Sequence, residues 1–392
     1  MNARERFLAV MNFEPVAPPK WEFGYWAGAL RRWYGEGLVE QTGVPAHLAD
    51  GQNVYGGGGA WTIDRYVDLD ARRALGLDEG MQRVAVNNFL CPAFEEQILE
   101  DHADWVLVRD EAGMLLKRTR HLDSLPHFVR GPVAAREDWE QLKAERLRPT
   151  LEGRLPVNWD EFLASYRHRT YPLAIGGGLG FYGTPRALLG EVQVLTAYYD
   201  CPDLMRDMVN DLADFMIALY DQVLDLIDVD LALIWEDMAY KNGPLISPAL
   251  FREFMLPAYR KLTSFVRDRG VRVIHLDCDG NIWKLLPLWI EGGVTGLYPF
   301  EVMAGMKVDQ VRAAFPNLQI LGGLDKIALA RGPEAIDAAL EFVSSMLKRS
   351  GYIPYVDHMV PPDVSWQNFS YYRKRLNDLI DTVSSANDTN PR

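Results

Sequence analysis

The chain has 392 residues, 48% apolar and 24% charged, which is ordinary for a globular protein long enough to bury a core without staples. Its formal charge of −13 argues against a general nucleic-acid binder and against an anionic-membrane binder, since both need a basic surface. Cys91, Cys201 and Cys278 lie too far apart for a disulfide framework or a CxxC zinc ribbon, and no long apolar run reads as a membrane span, so a reduced, cytoplasmic protein is expected.

In chain order, MNARERFLAVMNFEP is too charged for a signal peptide and reads as a short amphipathic helix. PPKWEFG (18–24) is a candidate strand. Around it cluster Trp21, Phe23, Tyr25, Trp26, Trp33 and Tyr34, with Arg31 and Arg32 between them. Such a cluster serves as core or interface, or binds a flat or aromatic ligand, in which case Trp61 and Trp235 would join it. NVYGGGGAW (53–61) is loop-like. MQRVAVNNF, ADWVLVRD and GMLLKRTR alternate apolar and polar residues and predict an antiparallel excursion, followed by a polar helix in REDWEQLKAERLRP. Residues from about 50 to 150 are therefore expected to be an insertion decorating one end of a larger fold.

From residue 171 a regular rhythm sets in. Short apolar strands at YPLAIGGG (171–178), LALIWED (231–237), VRVIHLD (271–277), VTGLYPF (294–300), LQILGGL (318–324) and YIPYVD (352–357) each precede a helical pattern. In the helix opened by Ser247 and Pro248, a kink is expected at Pro257. Six β-then-α units in a row imply a parallel sheet and favour a (β/α)8 TIM barrel over an open sheet. The segment 18–24 supplies one missing strand, and the other lies within 60–130. The expected organisation is one barrel over 1–383 with a frayed polar tail, 384–392.

A barrel keeps its chemistry at the C-terminal ends of its strands. Here those ends carry Glu236 and Asp237, then Asp277, Cys278 and Asp279, then Glu301, Asp325, and finally Asp357 and His358. This run of acids would hold a cation or fix hydrogen-bond donors of a substrate. HLDCDGN (275–281) is the densest part. Strand alternation sends Asp277 and Asp279 one way and Cys278 the other, where the thiol is either a ligand or a small buried hydrophobe. His275, further down the strand, reads better as a hydrogen-bonded core residue, and His358, in a loop beside Asp357, as a ligand or acid–base group. IGGGLG (175–180) lacks the Lys-Ser/Thr of a P-loop, and no GxSxG or HExxH is present. The candidate catalytic residues are Asp279, Asp237 and Glu301. The candidate substrate contacts are Tyr25, Trp26, Arg31, Trp235 and Asp325, and the candidate metal ligands are Glu236, Asp277, Cys278 and His358.

RERFLAVMNFEPV, EDMAYKNGPLISPALFREFMLPAYRKL (236–262), DCDGNIWKLLPLWIEGGVTGLYPFE (277–301), GGLDKIALARGPEAID (322–337) and GYIPYVDHMVPPDVSWQNFSYY (351–372) together resemble the uroporphyrinogen decarboxylase superfamily. The resemblance implies a (β/α)8 barrel and one of two chemistries. The decarboxylases carry an arginine-rich MRQAGRY segment after the first strand; here EFGYWAGALRRW stands there, and only Ala27 and Gly28 keep the pattern. The other branch uses zinc to move methyl groups between a small molecule and a corrinoid protein. Its His-x-Cys-Gly and later Cys correspond here to Asp277, Asp279 and His358, so oxygen and nitrogen donors replace thiolates, with Cys278 adjacent. Harder ligands make the metal a stronger Lewis acid, suited to an ether or amine leaving group. The resemblance thus implies a zinc-dependent methyltransferase acting on a small methylated compound, such as a methoxylated aromatic, with the cobalamin on a separate corrinoid protein and a homodimer compatible with the chain. Two alternatives stand beside it: a uroporphyrinogen-decarboxylase-like decarboxylase, and a barrel that only binds a small ligand.

Overall fold

The computed structural model describes residues 1–41, 53–55, 68–120 and 126–388, with side chains to residue 383. The expectations for Trp61, for most of the glycine loop and for the end of the polar tail lie outside the described residues. The backbone of the last helix, Trp366–Asp388, runs into the segment expected to fray.

Eight short strands form the centre: β1 Gly24–Trp26, β2 Gln82–Arg83, β3 Leu173–Gly176, β4 Leu231–Trp235, β5 Val273–Asp277, β6 Gly296–Tyr298, β7 Gln319–Leu321 and β8 Tyr352–Ile353. Strands β2 to β8 make one seven-stranded sheet in that order, with every pairing parallel. β1 pairs antiparallel with the strand Asn53–Tyr55, and the segment 20–26 touches both ends of the curled sheet. On one flank Tyr25 bridges Val360 in parallel, with Trp26 N–H donating to Val360 O and Val360 N–H to Gly24 O. On the other, Asp78 N–H donates to Lys20 O. The result is the TIM-barrel-like fold expected from the βα rhythm.

The strands are buried on both faces, which is why they read as continuous apolar runs. Leu231, Leu233 and Val273 face the lumen with Ala174, Tyr298, Leu321 and Ile353. Ala232, Ile234, Ile274, Leu276 and Cys278 face the helix layer. The helix Ala3–Met11, with a capping box between Asn2 and Glu5, sends Phe7, Val10 and Met11 into the lumen. Gln319 fastens it there, donating to Met11 O at 2.8 Å while its Oε1 lies 2.9 Å from His275 Nε2. His275 is fully buried in this network and is the core histidine its position predicts.

Two sequence expectations need correction. Gln82–Arg83, read as part of the antiparallel excursion, pairs in parallel with Leu173–Ala174 and is a barrel strand. Its pattern misled because only two residues pair, too few to show a period. The antiparallel part is the meander Gln97–Asp101, Trp105–Arg109, Leu115–Thr119 and His127–Arg130, followed by the helix Arg136–Arg146. The break expected at Pro257 is a π-helical turn, Phe251–Met255, immediately before the helix Leu256–Asp268, with Leu256 N–H donating back to Phe251 O. Among the described residues no helix is long and apolar enough to cross a membrane.

Candidate functional site

The C-terminal ends of β4 and β5 lie side by side, Asp277 opposite Trp235 in the parallel register. Alternation turns both toward the lumen mouth, where they line a cavity of about 280 Å³ with Asp237, Asp279 and His358. Phe23 and Tyr55 form an aromatic wall, their rings 6.0 Å apart, and the ring of His358 lies 5.2 Å from Phe23. Asp237, Asp277 and Asp279 can each direct one carboxylate oxygen so that all three atoms lie within 4.8 Å of one another.

Asp237 holds a left-handed backbone conformation, φ 44°, rare for a residue with a side chain. Arg186 secures it, donating to Asp237 O at 3.1 Å with a second guanidinium nitrogen 3.6 Å from the carboxylate. Burial, and then the neighbouring charge of Asp279, push the Asp237 carboxyl up to about 6. His358 Nε2 lies 3.4 Å from Asp279 Oδ2. Burial acts to lower the imidazole, but the hydrogen bond and charge of Asp279 outweigh it and raise His358 above its ordinary value. The site therefore joins a cluster of acids competing for charge to a histidine biased toward its protonated form.

Glu236 and Cys278 are not where a metal-ligand role requires them. Glu236 is completely buried behind the site. Its carboxylate accepts from the N–H groups of Phe181, Tyr182 and Gly183 at the start of helix Gly183–Leu189, and from the Tyr259 hydroxyl, which Trp289 Nε1 supports at 3.1 Å. It is an internal anion capping a helix. Cys278 faces the helix layer, accepts from Met238 N–H, and burial pushes its thiol well up, so it is no thiolate at neutral pH. Of the four residues first read as ligands, Asp277 and His358 line the cavity and these two do not.

The other candidates divide similarly. Trp235 lines the inner cavity. Tyr25 is buried against Trp33 and Phe369. Strand alternation slips after Phe23: Trp21 and Phe23 belong to the lumen cluster and Trp26 packs on it, whereas Tyr25 joins the outer core. Arg31 lies on the helix Ala27–Glu36 and is not one of the residues lining the inner cavity. Asp325 caps the short helix Lys326–Ala330 through Ile327 N–H and faces a separate cleft. Glu301 lines an outer chamber of about 650 Å³ that shares Asp237 and Asp279 with the inner cavity. It accepts from Gly280 N–H at 3.0 Å and lies 3.4 Å from Lys326 Nζ. Asp357 is buried, bound by the Val302 and Lys326 N–H groups. Sequence reasoning missed Arg186 and Tyr55: Arg186 sits on a helix rather than at a strand end, and Tyr55 lies in Asn53–Tyr55, which reads as part of a loop and is a short strand paired antiparallel with β1.

A barrel of parallel strands with acids and an imidazole at its C-terminal mouth is a TIM-barrel-like protein with a site where that architecture holds its chemistry. The uroporphyrinogen decarboxylase (URO-D) family model matches residues 180–378, just over half of the chain, and the chain belongs to this family. Among solved structures it is similar to a putative vitamin-B12 independent methionine synthase from Listeria monocytogenes, with 14% identity over 57% of this chain and 61% of that one and a TM-score of 0.28. The match therefore spans less than two thirds of that structure. It is also similar to a 3-keto-D-glucoside 4-epimerase from E. coli, with 13% identity over 56% of this chain and 83% of that one and a TM-score of 0.30. No curated protein matches the chain.

Proposed function

We propose that this protein is a metal-dependent methyltransferase that moves a methyl group between a small methylated compound and a corrinoid protein. The observation carrying the proposal is the convergence of Asp237, Asp277 and Asp279 in one cavity beside His358. Carboxylate oxygens fit a divalent cation with hard or borderline preferences, zinc included, and three protein ligands leave the open position that catalytic metals keep. Bound there, the cation supplies Lewis-acid polarisation of the leaving oxygen or nitrogen.

The chain's own residues do the rest. His358, held by Asp279, carries a proton to the leaving atom at the cavity wall. Phe23, Tyr55 and Trp235 exclude water and give the methylated end an apolar surface. Arg186 keeps Asp237 in its strained conformation.

Elemental analysis and a cobalt(I) corrinoid assay test the proposal. The expected results are about one divalent metal per chain, removed by Asp277→Asn, and methylcorrinoid formation from a methoxylated aromatic. Metal far below one per chain, together with no methyl transfer from ethers, amines or thiols, would overturn it. Release of carbon dioxide from uroporphyrinogen would instead establish the decarboxylase reading.

A further inference from the structure

Behind the His358–Asp279 pair, the ends of β5, β6 and β8 are joined by a closed ring of contacts. Glu301, after β6, accepts from Gly280 N–H through Oε2 at 3.0 Å, and Gly280 directly follows Asp279. Val302, which follows Glu301, donates its N–H to Asp357 Oδ2 at 2.7 Å. Asp357, after β8, directly precedes His358, and His358 Nε2 closes the ring at 3.4 Å from Asp279 Oδ2. Each link runs from one strand end to another, so the placement of the imidazole against the Asp279 carboxylate depends on the ring as a unit.

Lys326, on the short helix after β7, spans two members of this ring. Its Nζ lies 3.4 Å from Glu301 Oε1 and 3.6 Å from Asp357 Oδ1, and its N–H donates to the same Asp357 oxygen at 3.2 Å. The Asp357 side chain is fully buried, and those of Lys326 and Glu301 are 18% and 24% exposed. Two carboxylates held against one ammonium in so dry a place repel each other once that charge is gone. Burial pushes the Asp357 carboxyl up, and the Lys326 charge is the largest influence acting against it. Among the described residues, neither Lys326 nor Asp357 lines the inner cavity or the outer chamber, so neither reaches a ligand directly.

We propose that Lys326 is a positioning residue: by bridging Glu301 and Asp357 it holds the loop at Gly280 and, through that loop, the Asp279 carboxylate against His358. Glu301, a catalytic candidate by its place at a strand end, then acts by transmitting position, with one oxygen on Lys326 and the other on Gly280. This deepens the methyl-transfer reading and rests on it only for what the Asp279–His358 pair does. Outer contacts of this kind orient the groups that hold a metal, and losing one typically costs about 10- to 100-fold in metal affinity.

Ring-nitrogen resonances of the histidine-labelled full chain, without metal and at one fixed pH, test the proposal; His358 is identified by its absence from His358→Gln. Lys326→Met is expected to move the His358 resonance, and Lys326→Arg, which keeps the charge, to bring it most of the way back. Glu301→Ala is expected to move it similarly, and the double variant no further than either single one, because the two side chains act as a unit. Arg312→Met serves as the control. It removes a buried cation that donates to Leu318, Ser350 and Gly351 carbonyls at the opposite ends of β7 and β8, and is expected to leave the resonance in place. In chelator competition, Lys326→Met is expected to bind zinc about tenfold more weakly than the parent. Circular dichroism and melting check that each variant folds; should Lys326→Met not fold, Glu301→Ala decides. A His358 resonance unmoved by the folded variants, additive shifts in the double variant, or an equal shift from Arg312→Met would overturn the proposal. A parent chain that takes no metal would remove the reading in the preceding section and leave this one to the resonance, which is read without metal.

Discussion

Asp237 combines two costs at one position, a left-handed backbone and a carboxylate buried beside Asp279. Its native carboxyl, pushed up to about 6 from an ordinary 3.8, binds more protons than the unfolded chain between those values. Stability from this group is therefore present at low pH and declines as pH rises through that window. In chelator-treated protein, Asp237→Asn is expected to raise the melting temperature at pH 7 and flatten its fall between pH 4 and 6, while abolishing activity; asparagine tolerates the left-handed conformation. Thermal melts across that range, beside metal content, read both effects, and a lower melting temperature at pH 7 would contradict the argument. His275 behaves in the opposite sense. Burial holds it down at about 4 against an ordinary 6.5, so the unfolded chain binds the extra proton between these values. Stability from neutral His275 is complete above about pH 6.5 and lost as pH falls toward 4, by at most roughly 3 kcal/mol. Replacing it with Gln should flatten that acid limb in urea titrations at pH 4 to 7.

Among the elements, the loop after β3 packs closely on the C-terminal end of β4. Gly180 allows the backbone to approach so closely that a Cβ there would meet Trp235 O at 1.9 Å and the Glu236 carboxylate at 2.7 Å. This approach delivers three N–H groups of the segment 181–183 to Glu236. Glu236→Ala would strand those donors and the Tyr259 hydroxyl, costing about 3–5 kcal/mol. Glu236→Gln, which retains an acceptor, should cost less and leave metal content unchanged, as measured by denaturant melts and elemental analysis. Loss of metal from a well-folded Glu236→Gln would return this residue to the ligand set. The contrast shows what was legible at this scale. The strand ends and their acids were readable because doubly buried strands stand out as apolar runs. Which acid turned inward was not, since Glu236 and Asp237 are sequence neighbours and only the backbone twist at Asp237 separates them.

For the molecule as a whole, β1 and the final helix depend on one buried ion pair. Glu22 and Arg373 are both inaccessible to solvent, 3.3 Å apart. Glu22 also accepts from Val356 and Phe23 N–H, while Arg373 donates to Trp21 O and Asn377. The pair joins β1, the segment after β8 and the helix Trp366–Asp388, the three parts that complete the ring. Breaking a buried pair on one side leaves an uncompensated charge, so Arg373→Met should destabilise by about 3–5 kcal/mol, and adding Glu22→Gln should recover part of the loss. Urea denaturation of the single and double variants measures this; additive losses would show that the two side chains do not act as a unit.

The sequence alone determined the parallel βα architecture, because period and burial are local properties that each strand and helix displays in its own residues. It also determined that acids crowd the C-terminal strand ends, and that His275 belongs to the core. Only the tertiary structure decided that Gln82–Arg83 is a barrel strand, since two residues carry no period and their identity comes from pairing with β3. Only it separated Asp237, Asp277, Asp279 and His358, which share the inner cavity, from Glu236 and Cys278, which face the surrounding core. It alone brought Arg186 and Tyr55 to the site, from a helix and from a strand beside β1. Each of these depends on where a side chain points after distant segments meet, and that direction is set by packing rather than by the spacing of residues along the chain.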